Sequence, residues 1–285
     1  MNHTPIILLV GQAGSGKDTV AGFMVKNHNA ISIAQADPMK RLSKILFGFT
    51  EEQLWGPSDC RNAVDPRFLG DGANERWFQA YLKVNESEAV GKWIEEVLPG
   101  STGIRATLAD WVSLMQSQTF WQGKPLTPRF VLQTLGTEWG RKQSRDMWTD
   151  AAVKTAYKLL SGGYGYDRAI GLVQIPSTPG PDYVVISDGR FRNEIVNVLM
   201  AGGQVIRIDS PNADGLAAET AGVKGHQSET EQRGVPVHFF TAFIWNDKAK
   251  GLTDCEINVS WLMRTIGGNG NYHTVGRDGD WTRAH

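Results

Sequence analysis

Gly11-Gln12-Ala13-Gly14-Ser15-Gly16-Lys17-Asp18-Thr19 follows the apolar run Ile6-Ile7-Leu8-Leu9-Val10 and precedes Val20-Ala21-Gly22-Phe23-Met24-Val25. The first run is short, continuous and apolar, as a strand buried on both faces should be, while Val20, Phe23 and Met24 recur at the i, i+3, i+4 spacing of a helix. A glycine loop between such a strand and such a helix can close with its N–H groups turned inward, and the helix N-terminus adds partial positive charge. The stretch therefore predicts a polyphosphate cradle made by Gly14, Ser15, Gly16, Lys17, Asp18 and Thr19, with Lys17 reaching the outer phosphates. The competing reading is a strand-to-helix turn that merely contains glycine; the order strand, G-x-x-x-x-G-K, helix weighs against it. Where a Ser or Thr hydroxyl commonly meets Mg²⁺, this chain has Asp18, with Thr19 one place later.

The 285 residues can bury a full core, as one large domain or as one domain with an insertion. A formal net charge of −1 supplies no global field toward nucleic acid or an anionic membrane, so neither is expected as a partner. Any bound phosphate must then be met by local cations. Cys60 and Cys255 lie far apart and show no metal-ligand spacing, which points to a reduced, cytoplasmic compartment. No apolar stretch approaches the length of a membrane span, and no basic region precedes the short apolar run at the N-terminus. Ten tryptophans could serve packing or base stacking, and packing is the expected use of most.

Beyond the loop, Ala30 to Ala34 reads as a second strand, ending at Asp37-Pro38, where Asp can cap a helix carrying Met39, Leu42 and Leu46 on one face. Lys40 and Arg41 fall in the first turn, the wrong end of the helix dipole for cations, so they hint at an anionic ligand, with a solvated basic turn as the alternative. Residues 50–126 change character, turn-rich and then helical around Glu75 to Leu98 and Ala106 to Phe120, and read as an insertion covering the site. Thr127-Pro128 begins a helix through Arg141, with Val131, Leu132 and Leu135 facing the core and Arg129, Gln133 and Thr137 in line at i, i+4, i+8. That row could contact phosphate, base and sugar, or form a solvated face. A further helix is expected from Ser144 through Leu160, and a loop flanked by Gly162 to Gly165 and Pro176 to Pro181.

Tyr183 to Ser187 is a β-branched run expected to be a buried strand, ending in Asp188-Gly189-Arg190-Phe191-Arg192-Asn193-Glu194. In open α/β sheets, ligands bind beyond the carboxyl ends of the strands, so Asp188 and Arg190 are expected in the crevice that holds the glycine loop. Asp188 could ligate Mg²⁺ through water or hold an acceptor group, and Arg190 could neutralise phosphate oxygens. Strands are also expected at Gly203 to Ile208 and Ala242 to Trp245, separated by a long polar connection containing His226. Asn246-Asp247 should lead into a terminal helix to about Arg264, followed by a polar tail over 266–285.

Gly16-Lys17-Asp18-Thr19, Ala36-Asp37-Pro38-Met39-Lys40, Leu132-Gln133-x-Leu135-Gly136-Thr137-Glu138 with Trp148, and Ser187 through Glu194 together resemble the deoxynucleoside monophosphate kinases of bacteriophages. His226-x-Ser228-Glu229 and Asn246-Asp247 match that family's pattern in the same order. The resemblance spans roughly residues 5 to 265 outside 50–126 and departs at Gly189 and Arg192, where a bulkier residue and a proline are frequent. It implies a P-loop NTPase three-layer α/β fold with a parallel sheet, residues 1–49 and 127–265 as the kinase core, ATP with Mg²⁺ as donor, and a dNMP as acceptor. By its motifs, Lys17 and the loop hold ATP, Thr19 and Asp188 serve the metal, and Lys17, Asp18, Asp188 and Arg190 carry the chemistry. Lys40, Arg129, Gln133, Gly136, Thr137, Trp148, Asp188, Arg190 and Glu194 surround the acceptor. A homodimer is left open, and a phage-encoded chain would work in the host cytoplasm. Two alternatives stand beside this: a P-loop kinase of another metabolite, of phosphomevalonate, gluconate or dephospho-coenzyme A type, and a nucleotide-binding module without turnover.

Overall fold

The computed structural model describes residues 5–70, 72–211, 234–267 and 273–275, so the His226 motif and most of the tail lie outside the described residues. In chain order the elements are β1 (Ile6–Val10), α1 (Lys17–Asn27), β2 (Ala30–Ile33), α2 (Ala36–Phe47), α3 (Glu51–Trp55), α4 (Ser58–Asn62), α5 (Ala73–Glu86), α6 (Glu88–Val97) and α7 (Ile104–Gln122). Then follow α8 (Pro128–Gln133), a π-helical stretch (Thr134–Gly140), α9 (Arg141–Gln143), α10 (Met147–Leu160), β3 (Tyr164–Asp167), β4 (Gly171–Gln174), β5 (Tyr183–Gly189), α11 (Arg192–Met200), β6 (Gln204–Asp209), β7 (Ala242–Trp245), α12 (Gly251–Gly267) and β8 (His273–Val275). The chain divides into two compact units, one of residues 1–35, 152–167 and 172–285, the other of 36–151 and 168–171.

The first unit is built on a parallel sheet in the order β2-β5-β1-β6-β7-β8. Every residue of β1 is buried, as its continuous apolar run requires, and the two-residue period sends its side chains to opposite faces. Ile7 and Leu9 share a core with Val20 and Met24 of α1 and Val259 and Leu262 of α12. Ile6, Leu8 and Val10 share another with Ala156 and Leu159 of α10 and Ile195 and Val198 of α11. The result is helix, sheet, helix in three layers. Strand order reverses at β1, which lies between β5 and β6, and crevices at such points are where ligands sit in open α/β sheets.

The second unit is helical. Its core joins Leu42 and Leu46 of α2, Trp77 of α5, Trp93 of α6, Trp111 of α7, Val131 of α8, and Trp139 and Trp148. Five of the ten tryptophans are thus consumed by one apolar core, in keeping with packing as their main use. The unit takes in 36–49 and 127–151 together with the 50–126 stretch, because α2 and α8 carry their apolar faces into that same core.

Several local expectations need correction. The α2 helix begins at Ala36, so Asp37 lies within its first turn and accepts a hydrogen bond from Trp55 Nε1 at 2.8 Å rather than capping. The stretch expected to be helical around 75–98 is so, as two helices parted at Ser87, where an extended backbone separates α5 from α6. The expected α-helix through Arg141 turns into a π-helix at Thr134. The helix expected from Ser144 begins at Met147, and the loop expected between Gly162 and Pro181 contains the two-stranded sheet β3-β4. A 3-10 turn, Lys248–Lys250, delays the terminal helix to Gly251. Within the expected tail, His273–Val275 pairs with β7.

Candidate functional site

Gly16 holds φ of +95° as the residue preceding α1, and Gly14 holds φ of +78°, both in the left-handed region that L side chains rarely adopt. A Cβ on Gly11 would lie 2.5 Å from the Ile208 carbonyl oxygen of β6, so the chain can leave β1 here only without a side chain. Asn246, just past β7, donates from Nδ2 to the Ser15 carbonyl at 2.9 Å and presses on Gly16. Fixing that carbonyl fixes the orientation of the neighbouring peptide units, and with them the amides at the start of α1. The sequence marked Asn246 only as part of an Asn-Asp pair that follows a strand and matches the resembled family's pattern; its hold on the Ser15 carbonyl was not legible there.

Lys17 Nζ donates to the carbonyls of Gly11 at 2.6 Å and Gln12 at 2.9 Å, which places the ammonium inside the loop it belongs to. The hydroxyl of Ser15 is buried and has no hydrogen-bond partner among the described residues. An orphaned hydroxyl, left-handed glycines and a helix N-terminus together form a cradle that suits phosphate oxygens. Asp18 is exposed in the first turn of α1, and Thr19 next to it is half-buried. For Mg²⁺, the donor set of Thr19, Asp18 and Asp188 is hard oxygen, which fits an ion that keeps waters and leans on phosphate oxygens. No cluster of three or more His, Cys, Asp or Glu is poised for a metal among the described residues.

Parallel pairing of β1 with β5 matches Val10 to Gly189, so the glycine loop and the Asp188-Gly189-Arg190 segment leave the sheet side by side at the same end. Asp188 accepts the Gln35 N–H at 2.8 Å, tying the end of β5 to the residues after β2. Arg190 is exposed. Glu194, in the first turn of α11, reaches back to accept the N–H groups of Arg190 at 2.6 Å and Phe191 at 2.9 Å. Burial raises its carboxyl to about 7; Asp188 adds to the rise, while the two backbone N–H groups and the Gln35 side chain oppose it.

That shift has a stability consequence. The folded pKa of Glu194 lies above its unfolded value, so the folded state holds the proton more tightly. The favourable contribution is complete below about pH 4.5 and is lost as pH rises through about 7. Glu194→Gln keeps an oxygen for both N–H groups and never ionises. Its unfolding free energy, measured in urea, should therefore change less between pH 5 and 8 than that of the wild type, by up to roughly 3 kcal/mol. Parallel pH profiles for the two proteins would refute this.

The remaining residues singled out in the sequence fall in the second unit: Lys40, Arg129, Gln133, Gly136, Thr137 and Trp148. Arg129 Nε bonds Asn62 Oδ1. Trp148 is buried, and its indole N–H donates to the Gly136 carbonyl at 3.0 Å. A Cβ on Gly136 would approach Met39 Sδ to 2.9 Å, and one on Gly140 would meet the Trp148 ring at 2.5 Å. These glycines let α2 and α10 close onto the π-helical stretch. Gln133 and Thr137 are half-buried. Arg41 is buried and ion-paired with Glu96, so part of its charge is already met within the protein.

Sheet order, layering and the loop after β1 define a P-loop NTPase-type three-layer α/β protein. The chain is 25% identical over 230 residues to a protein of Acanthamoeba polyphaga mimivirus named "Putative deoxynucleotide monophosphate kinase", covering 81% of this chain and 83% of that one. No protein-family model matches. Among the described residues, no helix is long and apolar enough to cross a membrane.

Proposed function

We propose that this protein is a deoxynucleoside monophosphate kinase that transfers the γ-phosphoryl group of ATP to a dNMP. The observation that carries the reading is the adjacency of the glycine loop and the Asp188/Arg190 segment at the end of two paired strands. The name of the mimivirus relative points the same way. Phosphoryl transfer spreads charge over the equatorial oxygens of a loose transition state, so its demands are alignment and cations rather than a strong base. A nucleotide monophosphate, with second pKa near ~6, is already an ionised nucleophile at neutral pH.

In this reading the amides of Gly14, Ser15, Gly16 and Lys17 cradle the donor phosphates, and the Ser15 hydroxyl donates to one of their oxygens. Lys17 neutralises the outer phosphates. Thr19 and Asp188 would hold Mg²⁺, directly or through water, and the ion would supply positive charge that offsets that of the phosphates. Asp18 keeps a carboxylate beside the donor, where it orients the cation or the acceptor. Arg190 faces the transferred group, and Glu194 fixes its backbone. Lys40, Arg129, Gln133, Gly136, Thr137 and Trp148 serve the acceptor. Rigid backbone placement of this kind is what converts binding into rate.

The test is ADP release with ATP and MgCl₂ across dNMPs, their ribose counterparts, phosphomevalonate, gluconate and dephospho-coenzyme A. Mg²⁺-dependent transfer to at least one dNMP is expected, with the metabolites inactive. Turnover of a metabolite with every dNMP inert would replace the reading by another P-loop kinase. Absence of all transfer would leave a nucleotide-binding module.

A further inference from the structure

Trp55, at the end of α3, gathers charges that no motif accounts for. Lys40 Nζ lies 5.4 Å from the centroid of its ring, and the Arg168 guanidinium carbon lies 5.7 Å from the same centroid. The indole N–H donates to Asp37 Oδ1, the oxygen that also faces Lys40 Nζ at 3.9 Å. Asp37 thus offsets Lys40. No carboxylate lies within ion-pair distance of the Arg168 guanidinium among the described residues.

Arg168 is not a stray surface cation. It sits in the turn between β3 and β4, a turn that packs with the helical unit. Arg41 donates to the Arg168 carbonyl at 3.4 Å while its other nitrogen engages Glu96. Gly171 closes the turn at φ of +101°, so near the Arg41–Glu96 pair that an added Cβ would touch both partners. A partly buried ion pair therefore helps fix the backbone that presents Arg168. Two cations drawn to one indole gather positive charge beside it, which the aromatic face offsets only in part. A dianion relieves it. A phosphate monoester is such a dianion at neutral pH, and guanidinium plus ammonium is a pairing suited to its oxygens.

We infer that Lys40 and Arg168, seated on Trp55, form the subsite for the phosphate monoester of the acceptor nucleotide, an inference that rests on the kinase reading above. Trp55 and Arg168 are the new members, and Arg168 is a binding residue for the acceptor, not for ATP.

The experiment is calorimetric binding of the four common dNMPs, their nucleosides and inorganic phosphate to the whole protein without ATP, paired with steady-state kinetics. Proteins compared are wild type, Arg168→Gln, Arg168→Lys and Arg76→Gln, the last an exposed α5 arginine outside the cluster. Arg168→Gln should weaken monophosphate binding and raise the acceptor KM roughly 10- to 100-fold, with the KM for ATP unchanged. Arg168→Lys should recover part of the loss, Arg76→Gln should match wild type, and nucleoside binding should not respond. Three results would each overturn the subsite: wild-type affinity in Arg168→Gln, no monophosphate binding by wild type, or inorganic phosphate binding as tightly as the monoesters. The kinase reading fails differently. Wild type that binds dNMPs with the expected Arg168 dependence yet transfers nothing would retain the subsite and lose the reaction.

Discussion

Lys17→Ala should lower kcat for phosphoryl transfer by about 10²- to 10⁴-fold, with the fold intact. The first part follows from charge. The ammonium stands inside the loop, within hydrogen-bond reach of two of the loop's own carbonyls, and no neutral side chain can meet the negative charge that develops on the transferred group. The second part follows from placement. Lys17 opens α1, its side chain is half-buried, and alanine is a good helix former, so the substitution removes side-chain hydrogen bonds to the loop without breaking the helix. Urea unfolding should shift by no more than about 2 kcal/mol, and single-turnover kinetics should show the chemical step, not donor release, as what slowed. Unaltered transfer by a folded Lys17→Ala protein would sink the donor-site assignment. Lys17→Arg is a sharper control: it keeps the charge but replaces a point ammonium with a planar fork in a confined loop, so it too should be slow.

What the sequence disclosed depended on how local each feature is. The strand, loop and helix over residues 6–27 are written in adjacent residues, with a two-sided apolar run, glycines and then a 3.6-residue period, and nothing distant alters them. Five apolar runs gave the strands, and the three-layer arrangement of the sheet was implied by the resemblance. The π-helical stretch was not legible, because Val131, Leu132 and Leu135 satisfy an α-helical pattern equally well. The stretch packs against Met39 and Trp148, one distant in sequence and the other beyond the segment itself, and such contacts are not written in the segment. The two-stranded sheet at 164–174 was hidden by glycines that read as loop, and with it Arg168 of its turn, which reaches Trp55. Glu194 was found through a resemblance, but its hydrogen bonds were not legible in the sequence. Its carboxylate is spent on two backbone N–H groups, a job that only the folded turn defines.

Gly189 shows how one residue can join fold to site. A Cβ there would lie 2.8 Å from Leu8 Cδ1, 2.9 Å from Leu8 Cγ and 3.0 Å from the Leu9 carbonyl oxygen, where β5 pairs with β1 beside a shift of register. The Leu8 side chain can yield, but the Leu9 carbonyl belongs to the central strand and cannot move without displacing the start of the glycine loop. Gly189→Ala should therefore destabilise the protein by about 1–3 kcal/mol, the usual cost of overpacking. It should also depress transfer beyond what stability explains, because Asp188 and Arg190 flank the residue that is pushed away. Leu8→Ala removes two of the three close contacts and alone should cost about 2–5 kcal/mol as a buried truncation. The double variant should be more stable than the sum of the singles predicts, by about 1 kcal/mol or more, while transfer stays slow because the Leu9 contact remains. Additive destabilisation with wild-type turnover would mean that the closeness of the two strands matters to neither fold nor chemistry. Non-additive stability with restored turnover would place the sensitivity in the Leu8 side chain rather than in the backbone that carries the loop.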